Sequence, residues 1–209
     1  MFYGRYMSVA QDSFLTITAA VRAAEVKVLG SRFIADIIPV ATKDAIDADL
    51  ERIRKEFYDA SHHCYAFILG EKGETTRAAD DGEPGGTAGK PILTVLQGSG
   101  LTNVLCAVTR YFGGTKLGTG GLVRAYTEAA QEAVRSATIK EVILKEPINL
   151  VYGYDDTSLV ERLMQEYETK AEDAEYGDAA IVTVRIRRSL VEKFKAEVIE
   201  RSNARIKVQ

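Results

Sequence analysis

Two glycine-rich stretches hold most of the side chains in this sequence that could do chemistry. The first runs Asp80-Asp81-Gly82-Glu83-Pro84-Gly85-Gly86-Thr87-Ala88-Gly89-Lys90-Pro91. Glycine admits left-handed backbone and lets main-chain N–H groups approach a ligand, and Thr87 and Lys90 stand at a predicted helix start, where unpaired amides point outward. An anion site on Gly85, Gly86, Thr87 and Lys90 is the functional expectation. The structural alternative is a tight Gly/Pro turn whose carboxylates cap nearby N–H groups. A nucleotide phosphate loop is excluded, because G-x-x-x-x-G-K-[ST] would need Gly at Pro84 and Ser or Thr at Pro91.

The second stretch is Arg110-Tyr111-Phe112-Gly113-Gly114-Thr115-Lys116-Leu117-Gly118-Thr119-Gly120-Gly121-Leu122-Val123-Arg124. A buried strand is predicted to end here and a helix to begin near Leu122, so the Gly120 and Gly121 amides and the positive helix end face an incoming anion, reinforced by Arg110, Lys116 and Arg124. The two stretches are expected to converge as one concave, electropositive site. The alternative is that the glycines only let strand and helix pack closely. A dinucleotide fingerprint is excluded, since Val123 stands where its third glycine belongs.

His62-His63-Cys64 opens a predicted strand, whose alternation puts His62 and Cys64 on one face and His63 on the other. With Asp80, Asp81 or Glu83 folded over it, this segment would make a mixed His/carboxylate site that activates water, the chemistry of a metal- or phosphate-dependent hydrolase. Hydrogen-bonded structural histidines are the simpler reading. No G-x-S-x-G elbow and no cysteine nucleophile with an evident base is present. No catalytic residue, resident metal or cofactor is assigned.

Charge is polarised near the C-terminus. Asp155 to Ala180 holds nine acidic residues against Arg162 and Lys170, whereas Ile181 to Gln209 holds eight basic residues against three acidic ones. Alternation sends Val182, Val184 and Ile186 one way and Arg185 and Arg187 the other, and sets Arg205 and Lys207 against Ile206 and Val208. The basic set is expected to line the open face of a sheet, where a nucleic-acid backbone could bind, or to be a solvated face that offsets the acidic stretch.

Periodicity predicts the positioning elements. Strands are predicted at Phe14 to Thr18, Glu25 to Leu29 and Arg32 to Val40. A helix with Thr42 as N-cap carries Ile46, Leu50, Ile53 and Phe57 at helical spacing, and a strand runs from Cys64 to Leu69. Gly70 to Gly89 resists periodic assignment. A short helix at Ile92 to Gln97, a strand at Asn103 to Phe112, a helix at Leu122 to Ser136 and a strand at Thr138 to Lys145 complete a first domain, residues 1–146. Residues 147–209 read as βαββαβ: Ile148 to Tyr154, Thr157 to Tyr167, Lys170 to Tyr176, Ile181 to Arg187, Leu190 to Arg201 and Arg205 to Val208, the order of a ferredoxin-like domain.

The sequence has 209 residues, 46% of them hydrophobic, which suffices for two cores. A formal net charge of −3 gives no global basic excess, so an anionic partner must be met by a local patch. Two cysteines and two histidines supply neither a disulfide framework nor a four-ligand Cys/His zinc site. Met1 to Ala10 lacks an apolar signal region, and no stretch reaches the roughly 18 apolar residues of a membrane span, so a cytoplasmic location with no membrane partner is expected.

Through Asp80-Asp81-Gly82-Glu83-Pro84, Thr87-Ala88-Gly89-Lys90-Pro91, Thr109-Arg110-Tyr111-Phe112-Gly113-Gly114 and Leu117-Gly118-Thr119-Gly120-Gly121-Leu122-Val123-Arg124-Ala125-Tyr126, the chain resembles the bacterial two-domain branch of the IMPACT/YigZ family. Gly30-Ser31-Arg32-Phe33-Ile34 and His62-His63-Cys64-Tyr65-Ala66 extend the likeness, although the family more often has Asn where His63 stands. The resemblance implies an α+β chain: a ribosomal protein S5 domain 2-like first domain and a ferredoxin-like second domain of the kind in the elongation factor G tail. Eukaryotic relatives regulate translation through the activating partner of the general amino-acid control kinase. By that analogy the expected role is a non-enzymatic module binding RNA, the ribosome or a translation-related protein.

Overall fold

The computed structural model describes residues 12–22 and 25–209; the Met1 to Ala10 segment lies outside them. The chain divides into two compact α+β units, Phe14–Val142 and Ile143–Gln209, the latter joined by residues 12 and 13.

The first unit comprises β1 (Ser13–Ile17), β2 (Val21–Arg22), β3 (Val26–Val28), β4 (Ser31–Pro39), α1 (Lys43–Glu56), β5 (His62–Leu69), β6 (Thr75–Ala79), α2 (Gly89–Ser99), β7 (Val104–Tyr111), α3 (Gly118–Ser136) and β8 (Ile139–Ile143). Its main sheet is antiparallel in the order β2-β4-β7-β5-β6, with β3 also on β4, and β1 pairs with β8. Helices cover both faces. Ile92 and Leu96 of α2 and Leu122, Tyr126 and Ala129 of α3 pack on Phe33, Ala35, Ile37, Cys64, Ala66 and Val108, while Ile46, Leu50 and Ile53 of α1 pack on Ile38, Tyr65, Phe67 and Leu105. Strands buried on both sides are near-continuously apolar, as β4, β5 and β7 are. Each fully buried Ile or Leu contributes about 1.5–3 kcal/mol to that core.

Three local expectations are corrected. The aperiodic Gly70 to Gly89 stretch contains β6, an exposed edge strand whose sequence Thr-Thr-Arg-Ala-Ala carries no apolar alternation. The short helix at 92–97 is the 11-residue α2, which begins against β6: a Cβ on Gly89 would lie 2.5 Å from the Ala79 amide nitrogen, so only glycine fits. The last long helix of the unit starts at Gly118, four residues before the predicted Leu122.

The second unit runs β9 (Lys145–Tyr152), α4 (Thr157–Glu166), β10 (Ala171–Tyr176), β11 (Ala180–Arg187), α5 (Val191–Arg201) and β12 (Lys207–Val208), in an antiparallel sheet ordered β10-β11-β9-β12. Val182, Val184 and Ile186 lie beneath Val160 and Leu163 of α4 and Phe194 and Val198 of α5, which leaves the odd-numbered side of β11 as the open face. Pro147 stands where β12, paired only at Leu150 and Val151, does not reach, so its missing N–H breaks no bond to that strand.

Candidate functional site

The register of β5 on β7 sets His62 beside Arg110 and His63 beside Thr109, and that of β4 on β7 sets Phe33 beside Arg110. Onto this sheet end folds the segment from Asp80 to Ala88. Its Glu83 carboxylate, 3% exposed, accepts from Arg110 Nη1 at 2.6 Å and from the Tyr126 hydroxyl at 2.8 Å. Arg110 reaches on to Ser31 Oγ at 3.3 Å and lies over the rings of Phe33 and Phe112 at 5.4 and 5.6 Å. Charge paired and hydrogen-bonded in this way can be buried, whereas either partner alone could not.

The other acidic residues are also engaged. Asp80 accepts from the amides of Gly86 (2.8 Å), Ala88 (3.0 Å) and Gly89 (2.8 Å), so a side chain of the loop itself fills the N-terminal end of α2. Burial opposes ionisation there, but the three N–H donors outweigh it and hold the Asp80 carboxyl below its ordinary range. Asp81 accepts from the His63 amide at 2.6 Å and faces Arg54 at 3.8 Å.

His62 Nδ1 donates to the Asp81 carbonyl at 2.8 Å, and its Nε2 lies 3.9 Å from Glu83. His63 points to the opposite face, where Nδ1 meets Thr109 Oγ1 at 3.3 Å. Burial lowers the His63 pKa against the pull of Asp81, with Arg54 and His62 adding to the lowering. The Cys64 thiol donates to the Asp80 carbonyl at 3.0 Å and touches the Tyr126 hydroxyl at 3.2 Å. Burial pushes Cys64 and Cys106 each up to about 12, which removes both as thiolate nucleophiles at neutral pH. Burial, Cys64 and Glu83 raise Tyr126 far above the ordinary phenol range, so it remains a donor. Among the described residues no three His, Cys, Asp or Glu side chains group to hold a metal.

This geometry redistributes the anticipated anion-site residues. Arg110 is committed to Glu83 and is buried, Thr87 is buried with its hydroxyl on the Pro84 carbonyl at 2.6 Å, and the Gly86 amide is taken by Asp80. The side chains of Lys90, Lys116 and Arg124 are exposed and carry no hydrogen bond or ion pair among the described residues. Gly86 and Lys90 share a recess of about 260 Å³ with Val123 and Thr127 of α3. Arg124 folds back on the start of its own helix, Nη1 lying 3.7 Å from where a Cβ of Gly120 would stand. No side chain caps α3 and no acid occupies its first turn, where Gly120 and Gly121 lie. Gly85 is open on its surface. Ser31 and Tyr126, which complete the buried network around Glu83 and Arg110, and Thr109, which meets His63 on the opposite face, carry no site role in the sequence reading; only the strand register and the α3 packing supply their contacts.

In the second unit Arg185 and Arg187 are exposed on the open face, as alternation predicts. That face is not uniformly basic. Arg185 pairs with Glu172 at 2.6 Å, and Arg187 lies 4.0 Å from Asp12. Arg205 precedes β12 instead of belonging to it, and binds Asp156 at 2.6 and 3.1 Å. Lys207 is exposed on β12.

Comparison with known proteins bears on the same segments. The Impact N-terminal domain profile matches residues 29–134, and that of a domain of unknown function, DUF1949, matches residues 150–205. The IMPACT family member YigZ of Escherichia coli K12 is 33% identical over 199 residues, 94% of this chain and 97% of YigZ. The IMPACT family member YvyE of Bacillus subtilis 168 is 34% identical over 154 residues, 74% of this chain and 71% of YvyE. A crystal structure described as that of a hypothetical protein is 32% identical, covers 95% of this chain and 97% of its own, and superposes with a TM-score of 0.66. No helix among the described residues is long and apolar enough to cross a membrane. With one profile matching half of its length and relatives a third identical along most of it, the chain belongs to the IMPACT family.

Proposed function

We propose that the chain is a non-enzymatic module that binds RNA, free or within the ribosome, in the setting of translation. The observation that supports this is a contrast in how cations are paired. Lys90, Lys116 and Arg124 stand exposed and, among the described residues, unpaired beside glycine-rich backbone, whereas Arg110, Arg185 and Arg205 are already held by carboxylates. An unpaired cation can neutralise a phosphate and release its counterion; a paired one must first give up its carboxylate. The part that eukaryotic members of the family play in regulating translation favours the same setting, and with it the cytoplasm. We assign the first unit to the ribosomal protein S5 domain 2-like class and the second to the ferredoxin-like class, an assignment supported in the second by its βαββαβ order and β10-β11-β9-β12 sheet. Hydrolysis is the weaker reading, since Asp80 and Glu83, which would have to serve it, are spent on amides, Arg110 and Tyr126.

The test is a salt titration of binding to transfer RNA and to a ribosomal RNA fragment. Lys116→Ala with Arg124→Ala should lower the magnitude of the slope of log affinity against log salt by about 1.4 to 1.8, one phosphate for each cation removed, and leave the thermal melt unchanged. A parent protein that binds neither RNA, or a slope the double variant does not move, would overturn the proposal.

A further inference from the structure

We propose that Phe112 is a base-stacking platform and that the RNA taken by the first unit is therefore single-stranded, an inference that rests on the RNA-binding reading above. Phe112 succeeds the last residue of β7 and is 49% exposed although it is a large apolar side chain. An exposed phenylalanine alone is unremarkable. This one is fixed: its amide donates to Ser61 Oγ at 3.1 Å, and the Arg110 guanidinium sits 5.6 Å from its ring centroid. Glu83 and Ser31 in turn hold Arg110. The buried network thus orients a ring that the solvent reaches, and a rigid aromatic loses little conformational freedom when a base stacks on it.

The backbone just beyond the ring suits a nucleotide chain. Gly113 packs so closely on the Gly30–Ser31 backbone that a Cβ would fall 1.9 Å from the Gly30 carbonyl carbon, and Gly114, at φ 86°, has nothing within 4 Å of a Cβ position. No side chain therefore rises beside the ring from these two positions. Lys116, two residues further on, is exposed and unpaired among the described residues. An aromatic surface followed four residues later in the chain by a free positive charge complements a base with its phosphate, and in a duplex the faces of internal bases are covered by their neighbours. Charge complementarity thus favours a single strand over an apolar protein surface.

The sequence contains no tryptophan, so Phe112→Trp introduces a single indole at the site. Titrated with an oligouridylate of roughly 12 nucleotides, its fluorescence should be quenched and its affinity should match that of the parent. Phe112→Ala, confirmed as folded by its melt, should bind the oligouridylate about 5- to 100-fold more weakly with an unchanged salt slope, because it removes stacking and no charge. Its affinity for a blunt RNA duplex should change less than about 2-fold, since a duplex offers contacts to phosphate but no free base face. Equal losses for both RNAs, or an unquenched indole while oligouridylate still binds, would overturn the platform and leave the phosphate reading standing. RNA binding that Phe112→Ala leaves intact would reassign the ring to a protein partner. If the parent protein bound neither RNA, the RNA-binding reading itself would fall.

Discussion

The Glu83 carboxylate is only 3% exposed, a burial of charge that by itself would cost several kcal/mol. Arg110 and Tyr126 offset that cost, so the carboxylate ties the glycine loop to the sheet, a role that sequence leaves open between metal ligand and local cap. The alternation at His62-His63-Cys64 was legible, because strand period alone sends His63 away from its neighbours; the partner Thr109 lies 46 positions away and was not. His63 also gives a pH test. Burial lowers its pKa, so the unfolded chain takes up a proton at higher pH than the folded one, and the stability present above the unfolded value near 6.5 is lost as pH falls toward the folded value. Melts of the parent and of His63→Asn between pH 7 and about pH 5 should show the variant losing less stability across that window, by at most about 1.4 kcal/mol per pH unit. Parallel curves would show that His63 is not protonated differently in the two states.

The helix of the first unit with a side-chain cap and apolar residues at helical spacing was readable. Thr42 accepts from the Ala45 amide at 3.2 Å, and Ile46, Leu50 and Ile53 face inward. The start of α3 was not, because glycine lowers helix propensity by about 1 kcal/mol per residue, and only packing of Leu122, Ala125 and Tyr126 on the sheet carries the helix back through Gly121 and Gly120 to Gly118. For α2 the sequence points to a capping carboxylate from the loop but not to which one, since the residue before the helix is Ala88 and the acceptor comes from Asp80, eight positions upstream. Asp80→Ala leaves three amides without that carboxylate and should destabilise the protein by about 1–2 kcal/mol, measured by denaturant unfolding at neutral pH. The lowered Asp80 pKa means that this difference is present above the unfolded value and shrinks as pH falls through the folded one. A difference that persists unchanged at low pH would show that the cap does not act through the ionised carboxylate.

Across the whole molecule the βαββαβ order of the second unit was legible because each element carries its own periodic pattern, and β11 alternates buried and exposed residues without a break. Its charge state was not, because the acids that meet the arginines come from other elements: Glu172 on β10, Asp156 at the start of α4, and Asp12 from the far end of the chain. The consequence separates the two units as candidate RNA surfaces. Counterion release scales with the phosphates neutralised, and a guanidinium shared with a carboxylate gives up less of its charge to a phosphate than a free lysine does. Arg185→Ala with Arg187→Ala removes the same formal charge as Lys116→Ala with Arg124→Ala, yet it should change the salt slope of binding to transfer RNA by less than about 0.7. Exposed pairs of this kind are each worth under about 1 kcal/mol, so the melt should hardly move. A slope change of about 1.4 to 1.8 from the Arg185 and Arg187 variant, with none from the Lys116 and Arg124 variant, would place the phosphate contacts on the open face of the second unit instead.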